Sequence, residues 1–245
     1  MINPIVFIQS YERPIYLWAC LDSLYRNTKH PCRFVLIDNA SRDPLVNKVI
    51  GAFEARGMFY SVHRRKENTQ DAMPEALKHH NDQLGEYFGY VQSDILVHPS
   101  EPCWLTEFIS LVQENPDLGL VGSLVDKSDF VDPIKAVELF PNTETVQLNF
   151  LIKARSPERT LRNNYDERLI DPFNPPGRLQ FLKREFIDKA GWILRDRPLY
   201  ETCKRLGYKA AIATRVRHRH LSLLNLFDYP ESEVSARNRF FGVPE

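Results

Sequence analysis

The chain has 245 residues, 43% of them apolar, and its 32 lysines and arginines balance 32 aspartates and glutamates. That suits a single α/β domain with a substantial core, or one domain with a C-terminal elaboration, and gives no support to a nonspecific nucleic-acid binder. No apolar run approaches the roughly 20 residues of a membrane span, and the N-terminus lacks a basic region followed by an apolar signal core, so a cytoplasmic protein is the expectation.

Pro4 to Ile8 reads as a strand that runs into Gln9, Ser10, Tyr11, Glu12, Arg13 and Pro14. Pro14 suits the opening turn of a helix, whose apolar face is Leu17, Cys20, Leu21, Leu24 and Tyr25. Phe34 to Asp38 is a second strand, and Pro44 opens a second helix with Leu45, Val46, Val49, Ile50 and Phe53 on one face before Gly57. A third strand spans Met58 to Val62, a helix runs from about Asp71 to Leu84, and Tyr87 to Val97 reads as one further strand. Strands and helices that alternate over short connections predict a mostly parallel sheet with helices on both faces and right-handed crossovers.

Beyond Pro99 the pattern is less regular. A helix is expected from Trp104 to Asn115, a strand from Leu118 to Ser123, and a long loop between Leu151 and Pro176, where charge, asparagine and proline concentrate. Gly177 to Leu182 reads as a strand, Arg184 to Ala190 as a helix stopped by Gly191, Leu199 to Leu206 as another stopped by Gly207, and Lys209 to Val216 as a last strand. Cys20, Cys32, Cys103 and Cys203 are scattered without Cys-x-x-Cys or zinc-site spacing and read as reduced thiols.

Two apolar strands end in a carboxylate: Phe34-Val-Leu-Ile-Asp38-Asn-Ala-Ser41 and Tyr87-Phe-Gly-Tyr-Val-Gln-Ser-Asp94. Parallel strands deliver ligand-binding groups at their carboxyl edge, so the two acids suggest one shared site. Asp38 either accepts hydrogen bonds from a nucleobase or ribose, or caps the turn before Pro44. Asp94 can hold a hard divalent cation. His218 and His220 would face one side if the last strand continued, supplying imidazole beside that carboxylate; a solvated basic edge is the competing reading. Arg13, Arg64 and Arg65 follow presumed strands and could meet a diphosphate, or could simply be solvated. No Gly-rich phosphate loop follows the first strand, which argues against a dinucleotide-binding Rossmann enzyme and a P-loop nucleotidase.

Taken together, Tyr11-Glu-Arg-Pro14, Leu21-Asp-Ser-Leu24, Ile37-Asp-Asn-Ala-Ser-Arg-Asp43, Gln92-Ser-Asp94 and the segment Gly177 to Trp192 resemble glycosyltransferase family 2 and its GT-A relatives. The resemblance implies a single GT-A domain over 1–245, a Rossmann-like mostly parallel sheet with a C-terminal elaboration. Residues 1–98 would form the nucleotide-sugar-binding half and 99–245 the acceptor-binding, metal-completing half. It places Asp38 on the nucleotide base, and Ser10, Tyr11, Arg13, Arg65, Asn68, Gln92 and Ser93 around the donor. Asp94 and His220 become ligands of Mn2+ or Mg2+, with Gln92 standing where the family carries the first acid of its metal motif. Asp196 falls over the second acid of the family's Glu-Asp pair, the base of inverting members, and Arg195 replaces the first. Two neighbouring arginines are expected to lower the Asp196 pKa, keeping it ionised but weaker as a base.

The implied activity is metal-dependent transfer of a sugar from a nucleotide-sugar donor to a hydroxyl of a glycan or lipid-linked glycan, with inversion. No nucleic-acid partner and no membrane span are expected, and a lipid-linked acceptor would bring the protein to the membrane periphery. Gln92 and Arg195 motivate a rival reading, a catalytically silent GT-A domain that binds nucleotide sugar or scaffolds glycan assembly. A nucleotidyltransferase is a third, disfavoured by the missing Gly-rich opening loop.

Overall fold

A computed structural model describes residues 3–126, 137–138, 141, 166–172, 176–192 and 195–221. Most of the long loop expected between 151 and 176 lies outside the described residues, as does everything after Leu221. The first half alternates as the sequence pattern predicts: β1 (Ile5–Ser10), α1 (Pro14–Asn27), β2 (Arg33–Asp38), α2 (Pro44–Glu54), β3 (Phe59–Arg64), α3 (Ala72–His79), a 3-10 turn (Asn81–Gln83) and β4 (Tyr87–Gln92). Pro14 and Pro44 each sit in a first helical turn, where a missing N–H costs nothing. Asp43 caps α2, its Oδ1 accepting from Leu45 N at 2.9 Å.

Strands β3, β2, β1 and β4 are parallel neighbours, and the inner three, β2, β1 and β4, are buried on both faces while β3 forms a half-exposed edge. Alternate side chains of β1 enter different layers. Val6 and Ile8 pack with α1, α2 and α4 (Trp104–Glu114), while Ile5 and Phe7 pack with α3, α5 (Arg184–Ala190) and α6 (Asp196–Arg205). Phenylalanines with no exposed surface, among them Phe7, Phe53 and Phe108, contribute roughly 2 kcal/mol each.

The end of the first half departs from the expected reading in one place that matters for the site. Tyr87 to Val97 is not one strand. A turn at Ser93 and Asp94 separates β4 from β5 (Ile95–Val97), and the two halves join opposite parts of the sheet. The apolar residues on both sides carry the same β signal, while Ser and Asp supply the turn chemistry that breaks it.

The sheet order is β3-β2-β1-β4-β8-β6-β9-β5, with β6 (Leu118–Val125), β8 (Leu179–Lys183) and β9 (Lys209–His220), and with the short β7 (Leu169–Ile170) added against β9. Strand β8 runs antiparallel between β4 and β6, and β5 antiparallel along β9. Four strand-to-strand steps on a flat sheet span about 19 Å, yet three Cα steps from Gln92 to Ile95 reach at most about 11 Å. The sheet therefore curls, and β9 shifts register between its pairing with Ser123 and with Leu124, where it bends. This curl returns the far edge of the sheet to the end of β4. Helix α6 starts three residues before the expected Leu199, because Pro198 is tolerated in its first turn.

Candidate active site at the carboxyl edge of the sheet

A cleft of about 400 Å³ opens at the ends of β1 and β4, lined by Gln9, Tyr11, Glu12, Arg13, Tyr90, Gln92, Ser93 and Asp94. Its floor is set by strand pairing: Ser93 N donates to the Gln9 carbonyl at 3.1 Å, and Gln92 N to the Arg178 carbonyl at 2.8 Å. Asp94 lies at the β4–β5 turn, where Ile95 pairs with His220. The chain thus brings residues 94, 178 and 220 to one point through sheet topology alone.

Two polar groups meet one oxygen of Asp94: His220 Nε2 at 3.1 Å and an Arg178 guanidinium nitrogen at 3.1 Å. The same nitrogen stands 3.5 Å from Gln92 Oε1. Burial pushes the Asp94 carboxyl up, but His220, Arg178 and the more distant Arg13 outweigh it and hold it down at about 2. Its other oxygen, Oδ1, is buried with no hydrogen-bond partner among the described residues.

Strand β9 does continue past Val216, and its buried Val216, His218 and His220 alternate with exposed Arg215, Arg217 and Arg219. His220 is the imidazole on Asp94. His218 pairs its Nδ1 with Ser123 Oγ at 2.7 Å, and its Nε2 is buried without a partner among the described residues. Burial, then the cations of Arg178 and His220, lower its pKa to about 3, so its imidazole is neutral.

A buried carboxylate beside the imidazole of His220 gives a mixed oxygen and nitrogen donor pair that suits Mn2+ better than a purely oxygen-seeking ion. Gln92 offers an amide carbonyl at the position expected for the motif's first acid, and Arg178 adds a fixed cation beside Asp94.

Asp196, the first residue of α6, shares this neighbourhood. Its carboxylate lies against Gly177, where an added Cβ would come within 2.9 Å of Oδ2. The expected direction of its pKa is reversed: burial raises it, Arg178 lowers it, and Asp94 raises it again. The flanking Arg195 and Arg197 do not set its charge; burial and the opposing carboxylate do, and they make it a stronger base. Tyr90, buried beside it, donates its hydroxyl to Gln9 Oε1 at 2.9 Å, and burial with the Asp196 charge raises its phenol.

The other strand-end acid is employed differently. Asp38 Oδ1 accepts from Ser41 Oγ at 2.5 Å and from Ser41 N at 3.3 Å. Ser41 Oγ in turn accepts from Glu12 N at 2.7 Å, and the Glu12 carboxylate accepts from Arg42 N at 2.7 Å and Asp43 N at 3.1 Å. This bracing holds Glu12 and Arg13 in the left-handed region, at φ 52° and 57°, a conformation that costs of order 1–3 kcal/mol per residue. It aims Tyr11 and Arg13 into the cleft, with the Arg13 guanidinium 5.2 Å above the Tyr16 ring.

Ser10 is buried at the end of β1, its carbonyl accepting from Asn39 N at 2.8 Å. Asn68 and Arg65 belong to a network centred on Asn39: Asn39 Nδ2 donates to Asn68 Oδ1 at 2.5 Å, and Arg65 donates to Thr69 Oγ1 at 2.8 Å and Glu75 Oε2 at 2.9 Å. Arg64 is held by Asn47 and Glu54. Ser93, Gln92, Tyr11 and Arg13 line the cleft, whereas Asp38, Arg65 and Asn68 shape the turns behind it.

Sequence reasoning missed Arg178, Glu12 and Tyr90. Arg178, in the left-handed region at φ 67°, immediately precedes β8, and only the pairing of β8 with β4 shows that it faces Gln92. Glu12 sits in the quoted Tyr11-Glu-Arg-Pro14 stretch, but its partners lie about 30 residues away.

The curled mixed sheet with helices on both faces is the GT-A glycosyltransferase fold. The solved structure of GalNAc-T7 with UDP, GalNAc and Mn2+ is similar at TM-score 0.61 and 14% identity, over 90% of this chain and 44% of that one. Mannosyltransferase PcManGT from Pyrobaculum calidifontis, in complex with GDP-Man and Mn2+, is similar at TM-score 0.57 and 16% identity, over 89% of this chain and 56% of that one. The chain spans about half the length of these two solved proteins. No curated protein matches. The chain belongs to glycosyl transferase family 2, whose family model matches residues 5–189.

Proposed function

We propose that this protein is a metal-dependent glycosyltransferase that moves a sugar from a nucleoside-diphosphate donor to a hydroxyl of a glycan or lipid-linked glycan, with inversion. The observation that carries the reading is the convergence of His220, Arg178 and Asp196 around Asp94, which lines the cleft. Family membership and two solved GT-A structures described with a nucleotide or nucleotide sugar and Mn2+ support it.

In this reading Asp38, Ser10, Arg65 and Asn68 shape the nucleotide end of the cleft, and Tyr11, Arg13, Gln92 and Ser93 meet the donor. Asp94 and His220 would hold Mn2+ or Mg2+, which when bound would supply positive charge to offset that on a departing diphosphate. Arg13 and Arg178 donate charge-assisted hydrogen bonds to the same phosphates. On the acceptor side Asp196 takes the hydroxyl proton as that oxygen bonds the anomeric carbon. The bond from the anomeric carbon to phosphate breaks, its electron pair leaving with the nucleoside diphosphate. An Asp196 carboxyl with a raised pKa suits the task, since basicity rises with it.

One observation favours a silent binding domain: Arg178 already pairs with Asp94, and Gln92 offers no second carboxylate. A panel of nucleotide sugars, read out by released nucleoside diphosphate with and without Mn2+ or Mg2+, separates the two. Metal-dependent release that Asp94→Ala abolishes is the expected result. Donor binding without turnover across a broad acceptor screen overturns the enzyme reading.

A further inference from the structure

Outside the cleft, three histidines converge where the edge strand β3 meets the end of α3. His63 is on β3, His79 ends α3 and His80 is its C-cap. One ring nitrogen from each can be chosen so that all three lie within 4.8 Å of one another. The Nε2 atoms of His63 and His80 are 2.8 Å apart, and Ser61 Oγ stands 3.3 Å from the latter and 3.5 Å from the former. The rings of His63, His79 and His80 pack edge to face, with centroids 4.9 to 5.1 Å apart.

The geometry points to a second metal site, in which His63, His79 and His80 bind a zinc-class transition ion that clamps α3 to the edge strand. Tetrahedral zinc with imidazole nitrogens at about 2.0–2.1 Å sets those nitrogens about 3.3 Å apart, so small side-chain rotations convert the present triangle into a coordination face. The fourth position faces the Ser61 hydroxyl or solvent. Two Nε2 atoms in contact cannot both carry protons, so at least one already presents a lone pair. Burial, with the neighbouring histidines, lowers the pKa of His63. Burial also lowers that of His80 against a hydrogen bond with Gln83, which favours the neutral ligand form. The carbonyl end of α3 adds partial negative charge at the same point. Arg33, the nearby cation, is held by the Gln83 carbonyl at 2.8 Å and the Tyr60 ring at 5.0 Å.

The consequence is mechanical. Between His63 and α3 lie Arg65, Asn68 and Thr69, which grip Asn39 behind the cleft. A clamp across that segment would fix the turn that follows β2. This inference does not depend on the transferase reading.

The test uses the full chain carrying Asp94→Asn and His220→Ala, stripped by chelation and titrated with Zn2+ by calorimetry and with Co2+ by visible absorption. We expect one ion per chain, an intense Co2+ spectrum of tetrahedral type, and a raised Tm. Adding His63→Ala or His79→Ala should weaken binding by at least about 100-fold. His79 is exposed, so its variant keeps the Tm of the stripped parent. Zinc affinity unchanged by both substitutions, or an absent calorimetric signal in the parent, overturns the site.

Discussion

Asp38 and Asp94 end strands of the same build, yet the protein uses them oppositely. The carboxylate of Asp38 is engaged by the hydroxyl and amide of Ser41 three residues on, and it braces a turn. Asp94 has one oxygen facing His220 and Arg178, which come from distant parts of the chain, and one buried oxygen without a partner among the described residues. A local partner makes an acid structural; partners delivered by topology leave Asp94 placed as the proposed reading requires of a metal ligand. The signature of an apolar run ending in an acid is the same for both.

The largest effect that sharpens this contrast belongs to the acid that shares Asp94's neighbourhood. Asp196→Asn should lower kcat about 10²- to 10³-fold, with little change in donor KM. In the parent enzyme, kcat should fall on the acid side as pH drops through the raised Asp196 pKa. A kcat–pH profile with no acid limb, or an active Asp196→Asn, breaks the assignment.

Next comes a stability difference. The fold holds the Asp94 carboxyl at about 2 against an ordinary 3.8, so its ionised form contributes roughly 2 kcal/mol above pH ~4. That contribution is lost as pH falls through about 2. Thermal melts of wild type and Asp94→Asn should therefore converge on acidification across this window; a gap that stays constant contradicts the ion-pair account.

Gly177→Ala is a smaller perturbation, since its Cβ would press on the Asp196 carboxylate. We expect about a tenfold loss of kcat, because displacing a reacting group by a fraction of an ångström is costly, with a Tm close to wild type. Smallest in catalysis is Asp38→Asn, which keeps an acceptor for Ser41. It should change kcat by less than about threefold and stability by about 1 kcal/mol, measured by denaturant unfolding. A large rise in donor KM in this variant would assign Asp38 a direct part in nucleotide binding.

Most of the first hundred residues was legible because parallel strands buried on both faces read as continuous apolar runs, and Pro14 and Pro44 mark helix starts locally. The split at Ser93–Asp94 was not, since Ile95, Leu96 and Val97 extend the same signal into a strand that pairs elsewhere. His220 was legible once β9 was allowed to continue, because the alternation of Arg and His is local. Arg178 and the direction of the Asp196 pKa were not, since both depend on burial and on a neighbour supplied by antiparallel β8. The histidine cluster was hidden for the same reason: His63 and His80 meet only when α3 folds back over β3.

The most direct test of the central claim is calorimetric titration of Mn2+ into the protein saturated with nucleoside diphosphate, in a His79→Ala background that removes the cluster on α3. We predict one Mn2+ bound at the cleft, binding lost in Asp94→Ala and weakened in His220→Ala. Mn2+ affinity unchanged by Asp94→Ala would contradict the account.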